Sequence, residues 1–349
     1  LLPRMVNWGP LNGSRQDEWY NLVRSLRVLY DGGDLAYYIH PSFFYEMLAV
    51  LMRIHGVWLQ ASGRIPDFEH YIDFLVCNDV PALNIARGLS VTAACVATLL
   101  ISLTARRHLF HGAGALAGIL FISTLTLADV AGSVRVDALF IALLAASILA
   151  ILEHSSDPTR IKAICAAILV GTTVSTNYPG VVLLPLLALS LYRTRTPSPN
   201  IVSSEIQRWS SVFITFLTTY FVLNIHHLFN AVDFWHWFTF QASTVVKTHP
   251  HAREPQIFYY LAMLSSQSVV AIGTLFVGMA AIASKFGIIR TLSLLGTGVV
   301  ILFSLSSSQY DRFILTAFPL LALAATHAIG SALDLVENRL GSTKRRLLY

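Results

Sequence analysis

The residues of this chain that could do chemistry are few and widely spaced. Asp17 and Glu18 are adjacent carboxylates, His40 precedes Pro41, and Asp129 lies shortly before Arg135 and Asp137. Asn177 and Tyr178 follow a threonine, and Tyr310, Asp311 and Arg312 are consecutive. A carboxylate in a cleft can take the proton of an acceptor hydroxyl and so act as a general base. Adjacent acids in a strand or loop point apart, so only one of Asp17 and Glu18 can face a pocket. The plainer reading of the pair is a solvated loop charge or an acidic helix start. An arginine such as Arg312 can hold a lipid phosphate through two parallel hydrogen bonds, or it can pair with Asp311. Asp137 is placed either to cap the helix that follows it or to face the same cleft as Asp17. Arg135 either snorkels or pairs with Asp137 or with an anion.

The segment 226–254 holds His226, His227, His236, His249 and His251, five of the twelve histidines. His249 and His251 are two apart in a loop, which is not a specific metal-ligand spacing. The sequence names no certain cofactor, and it leaves room for a divalent metal. Cys77, Cys95 and Cys165 do not make a disulfide framework, since two of them fall inside apolar runs. No CxxC, HExxH, GxGxxG or Walker loop occurs. Asn12-Gly13-Ser14 is a glycosylation sequon, a weak signal in a single tripeptide.

The elements that must position these residues follow from composition. Of 349 residues, 55% are hydrophobic and only 12% charged, about half the charged fraction of an average soluble domain. Mean hydropathy is +0.61. There is too little polar surface to cover a soluble globule of this size, and disorder and coiled coil fail on the same ground. The class is an all-α integral membrane protein. The net charge of +5 then reads as loop cations facing an anionic leaflet rather than nucleic acid. No basic tract is interleaved with aromatics as single-strand binding needs.

Nine apolar runs approach spanning length, near 87–105, 111–130, 137–153, 161–177, 181–193, 209–227, 257–284, 291–305 and 313–333. Alternate loops differ sharply in charge. One set and the tail carry Arg106, Arg107, Arg160, Lys162, Arg193, Arg195, Arg208, Lys285, Arg290, Arg339, Lys344, Arg345 and Arg346. The other set, after residue 87, carries only Arg135, Lys247, Arg253 and Arg312. The positive-inside rule makes the first set cytoplasmic. The C-terminus is then inside and everything before residue 87 outside, so one more span is expected upstream of a chain that shows no signal peptide. The expected organisation is an extracytoplasmic region over 1–86, a multi-spanning domain over 87–333 and a basic tail over 334–349. Within 1–86, the run 41–59 places Glu46 and Arg53 on one helical face, as in an amphipathic helix lying at the interface. All the candidate residues named first fall on the outside, where loops of several helices can build one site.

The order of these motifs resembles that of membrane glycosyltransferases of the GT-C class, in the bacterial branch related to protein O-mannosyltransferases and aminoarabinose (lipid A) transferases. Asp17-Glu18-Trp19-Tyr20 is similar to that family's acidic pair in its first outside loop. His40-Pro41-Ser42-Phe43-Phe44-Tyr45 resembles its His-Pro-Pro-Leu-Tyr-Tyr helix start. Arg87-Gly88-Leu89-Ser90, with Ala105-Arg106-Arg107-His108-Leu109-Phe110, resembles the stretch that closes the next span. Arg135-Val136-Asp137-Ala138 is similar to its Arg-x-Asp-x, and Tyr310-Asp311-Arg312-Phe313-Ile314-Leu315 to its Tyr-x-Arg-Tyr-Leu-Leu. The resemblance covers most of 15–330, and order, spacing and shared membrane side carry it. Thr176-Asn177-Tyr178-Pro179 departs from it, because the family often has a lysine at the position of Asn177.

The resemblance implies a GT-C-like bundle of about nine spans in this chain, in a bacterial inner membrane, with its site on the extracytoplasmic face. It implies transfer of a sugar from a polyprenyl-phosphate donor to a hydroxyl of a lipid, glycan or protein acceptor, with inversion. Asp17, Glu18 and Asp137 would form the catalytic set, with Asp17 the base. His40, Arg135, Asn177, Tyr178, Tyr310 and Arg312 would bind substrate, and Arg312 would hold the donor phosphate. Membrane lipids are expected partners, and nucleic acid is not. The alternative is a non-catalytic subunit of the same fold within a larger membrane complex. A transporter is disfavoured by spans almost free of midplane charge and by the lack of an internal repeat.

Overall fold

The computed structural model describes residues 16–31, 41–78, 80–194, 201–246, 259–305 and 313–347, and among them only helices and turns occur. The helices are α1 Gln16–Asp31, α2 Phe43–Ala61, α3 Phe68–Cys77, α4 Val80–His108, α5 Ala113–Ile122, α6 Leu125–Ala131, α7 Val136–Ser156 and α8 Arg160–Thr176. A 3-10 turn at Tyr178–Val182 leads into α9 Leu183–Arg193. Then come α10 Ile201–Leu223, α11 Ile225–Phe229, α12 Ala231–Val246, α13 Tyr259–Gln267, α14 Val269–Ala280, α15 Gly287–Leu305 and α16 Ile314–Leu347. The fold is all-α and its apolar helices make it an integral membrane protein.

Every apolar run of the sequence is helical, but the runs differ in kind. Among the described residues, α4, α7, α15 and the Ile314–Glu337 part of α16 are each long and apolar enough to cross a membrane. The pair α5–α6 supplies a fifth span that bends by 75° at its break. Tyr178–Arg193 and Val269–Ala283 are shorter apolar helices. The expectation of about nine spans therefore becomes four continuous spans, one broken span and shorter apolar helices. The break at Ser123 and Thr124 frees backbone groups that hydrocarbon cannot satisfy. Polar side chains gather there: the Thr124 and Thr126 hydroxyls each lie 3.2 Å from Oε1 of Gln267, at the end of α13.

The first half of α16 is the centre of the bundle. It is apolar all round, and Ile314, Leu315, Phe318, Leu321 and Ala325 are all buried. At the other extreme, Leu99 on α4 is 68% exposed, as a lipid-facing side chain should be. Between lipid-covered helices association depends on close packing, so small residues matter. Gly278 on α14 and Gly296 on α15 both abut Leu321. A β-carbon at Gly278 would stand 2.6 Å from the Leu321 carbonyl oxygen, whereas one at Gly298 would meet nothing within 4 Å. Gly278→Val should cost about 1–3 kcal/mol by overpacking and Gly298→Ala close to nothing; thermal unfolding of the two variants in detergent checks the contrast.

A second, smaller core joins α1, α2 and α3 to the start of α4 and to Val134, Val136 and Leu139. α1 buries Glu18, Asn21, Leu22, Ser25 and Leu26, a single stripe at helical spacing. α2 buries Tyr45, Leu48, Met52 and Leu59 and exposes Val50, Ile54, Val57 and Trp58, so it is apolar on its outer side as well. Asp67 caps α3 by accepting from the His70 amide at 2.9 Å.

The bundle has two chemically distinct ends. At one, Arg107 pairs with Glu153 at 2.7 Å, the Arg208 guanidinium donates to the Thr194 carbonyl at 2.9 Å, and the Arg193 side chain lies against Gly287. The loops that are basic in the sequence meet there. The other end gathers α1, α2, the start of α7 and the end of α8.

Candidate active site

At this second end the buried polar residues of α1 face the chain between α6 and α7. The Glu18 carboxylate accepts from Arg87 Nε and Nη2, both at 3.0 Å, a bidentate arrangement. Its Oε1 also accepts from the Val134 amide at 3.0 Å. Asn21 Nδ2 donates to the Val134 carbonyl at 2.8 Å. One turn of α1 thus holds both backbone groups of Val134. That clamp fixes Arg135 and the first turn of α7, which carries Asp137. The residue at the N-cap position is Arg135 rather than Asp137, and no side chain caps the helix. Asp137 lies in the first turn, where a carboxylate is favoured by the helix dipole. The Arg135 guanidinium reaches Asp129 at 3.4 Å.

Asn177 ends α8 and starts the 3-10 turn. Its amide donates to the Thr173 carbonyl at 3.1 Å and its carbonyl accepts from Gly180 at 3.0 Å. It is only 8% exposed, yet its side-chain amide makes no hydrogen bond among the described residues. A nearly buried amide with free donors and acceptor is costly unless a ligand or water meets it. Tyr178 beside it lies within electrostatic reach of Tyr45 and Tyr220. Tyr45 is fully buried on α2 and accepts from Arg24 Nη1 at 2.9 Å. So α1, α2, α8 and α10 share this end.

The chain after His40 is anchored here too. The Ser42 amide donates to Asn224 Oδ1 at 2.8 Å, and the Ser42 hydroxyl donates to the Leu223 carbonyl at 3.0 Å. Asn224, fully buried, in turn donates to the Tyr220 carbonyl at 2.8 Å. Nearby, Tyr220 OH and His227 Nδ1 are 3.1 Å apart, and the His227 ring stacks on Phe234. Asn224→Ala would strand the Ser42 amide in a buried site, so it should cost about 2 kcal/mol. A fall in the unfolding midpoint in detergent checks this. Further out on α2, His55 Nδ1 lies 3.0 Å from Tyr71 OH. Burial holds the His55 imidazole below its ordinary pKa and pushes the Tyr71 phenol up, so both stay neutral.

The site residues drawn from the sequence divide as follows. Glu18, Arg135, Asp137, Asn177 and Tyr178 lie at this one end. Asp17 belongs to α1, the acidic helix start that is one of the two sequence readings, and its side chain is outside the described residues. His40, Tyr310 and Arg312 are also outside them. Sequence reasoning missed Asn21, Arg87 as the partner of Glu18, and Asn224. A polar residue spaced with apolar ones along a buried stripe, as Asn21 is with Leu22, Ser25 and Leu26, was the signal available. Among the described residues no three of His, Cys, Asp and Glu gather as metal ligands.

This arrangement of a helical membrane bundle is shared with membrane proteins of solved structure. The chain is similar to two solved structures of ArnT from Cupriavidus metallidurans. One, bound to undecaprenyl phosphate, superposes with a TM-score of 0.65 at 16% identity over 91% of this chain and 56% of that one. The other, in the apo state, gives 0.64 at 15% identity over 94% of this chain and 57% of that one. The chain therefore spans a little over half the length of the proteins it matches. No family model and no curated protein matches it.

Proposed function

We propose that this protein transfers a sugar from a polyprenyl-phosphate-linked donor to an acceptor hydroxyl, at the bundle end that holds Glu18, Arg135, Asp137, Asn177 and Tyr178. The observation that supports it best is the free, nearly buried Asn177 amide at this end of a fold shared with a protein solved with undecaprenyl phosphate. On this reading Asp17 accepts the proton of the acceptor hydroxyl as its oxygen attacks the anomeric carbon. The bond from that carbon to the phosphate oxygen breaks on the opposite face, polyprenyl phosphate leaves, and the configuration inverts. Arg312 and Arg135 neutralise the phosphate, Asn177 and Tyr178 donate hydrogen bonds to it, and His40 and Tyr310 line the donor's path. Asp137 orients the acceptor. Glu18 acts as a positioning residue, its oxygens taken by Arg87 and Val134. The positive-inside bias makes this end extracytoplasmic and the C-terminus cytoplasmic, in a bacterial inner membrane.

The test is to give purified, complete protein a panel of polyprenyl-phosphate sugars and measure release of free polyprenyl phosphate. Release with one donor supports the transferase and names its sugar. No release from folded protein with any donor overturns it in favour of a non-catalytic subunit.

A further inference from the structure

The opposite, basic end of the bundle holds a cavity of about 260 Å³ between α7, α8, α9 and α10, lined among others by His154, Thr159, Arg160, Gln207 and Arg208. None of its lining residues is acidic. The cations there are disposed in three ways. Arg160 is exposed and makes no ion pair among the described residues. Arg208 is fixed by its bonds to the Thr194 carbonyl and hydroxyl, with Glu205 further off at 3.8 Å. His154 is 1% exposed, its Nδ1 is engaged by the Ser190 hydroxyl at 2.8 Å, and its ring is part of the cavity lining.

α8 begins at this cavity. Its first turn contains Arg160 and Lys162 and no acid, the reverse of what the helix dipole favours. Thr159 caps the Lys162 amide, and first-turn amides have no partner further back in the helix. Lys162 has its own carboxylate in Asp157. Two arginines, the Thr159 and Gln207 side chains and the start of α8 thus line a space with no acid among its described lining residues. Such a donor set matches a phosphate.

We propose that this cavity binds a phosphate group, of an anionic lipid headgroup or of free phosphate, at the end of the bundle remote from the candidate active site. The inference stands apart from the proposed transferase activity, since it uses none of that site's residues. The whole protein in detergent would be examined by native mass spectrometry with dioleoyl phosphatidic acid, with inorganic phosphate and with dioleoylglycerol, which lacks the phosphate. Arg160→Gln removes an exposed charge, and Gln207→Glu puts a carboxylate into the lining from an exposed position. Neither should alter the unfolding midpoint of the unliganded protein. The expected result is retention of phosphatidic acid but not dioleoylglycerol by the wild type, weakened about tenfold by either variant, the worth of one charge-assisted hydrogen bond. Retention of inorganic phosphate in preference to the lipid, with the same loss in the variants, supports the site and identifies a soluble ligand. Equal retention of phosphatidic acid by wild type and both variants, or equal retention of dioleoylglycerol, overturns the proposal.

Discussion

Asp17→Asn should slow release of polyprenyl phosphate by about a hundred- to ten-thousand-fold, the worth of a positioned general base, while leaving the unfolding midpoint nearly unchanged. Asp17 and Glu18 are both carboxylates, but α1 gives Glu18 partners of its own. Both oxygens of Glu18 accept from Arg87, and one also accepts from the Val134 amide. A carboxylate so engaged has its lone pairs occupied, which suits holding a loop and not abstracting a proton. On the proposed reading the chemistry therefore falls to Asp17. Initial rates at saturating donor separate the two carboxylates. Asp17→Asn loses kcat, whereas Glu18→Gln loses stability and shifts kcat by a smaller factor through the Val134 loop. A Glu18→Gln enzyme as inactive as Asp17→Asn but equally stable would reverse these assignments.

Arg87→Ala should be the most destabilising single change at this end, costing about 3 kcal/mol or more. The Glu18 side chain is 2% exposed and its partner 39% exposed. Removing the arginine takes away a bidentate cation and leaves the buried carboxylate with the Val134 amide but without that counter-charge. The Arg87→Ala/Glu18→Gln double variant removes the stranded charge and keeps an acceptor for the Val134 amide, so it should be more stable than Arg87→Ala alone. The midpoints of the three variants and the wild type form a double-mutant cycle. If the double variant were the sum of the two single losses, the ion pair would not be holding α1 to α4.

The membrane class and the apolar helices after residue 80 were legible in hydropathy alone, because a span must be apolar over its whole length whatever it packs against. The charge alternation was equally legible, and the loops it grouped do meet at one end, as Arg107 with Glu153 and Arg193 against Gly287 illustrate. The break between α5 and α6 was not legible. Residues 111–130 read as one run, and the bend is matched by a glutamine, Gln267, far along the chain. Whether Asp17 and Glu18 sit in a loop or at a helix start was open in the sequence, because the buried stripe of α1 carries Glu18, Asn21 and Ser25, which only make sense once Arg87 and Val134 are known to face them. The Glu18 partner lies 69 residues away, a separation at which periodicity says nothing. Asp137 lies two residues too late to be a cap, since Arg135 is where α7 leaves the extended backbone.

The most direct test of a donor-phosphate site at the α1, α7 and α8 end is a cryo-electron microscopy map of the complete protein with polyprenyl phosphate bound. The expected result is phosphate density within hydrogen-bonding distance of Asn177 or Tyr178, on the same side of the bundle as Arg135. Phosphate density found only at the opposite end, beside Arg160 and Arg208, would contradict the proposed site.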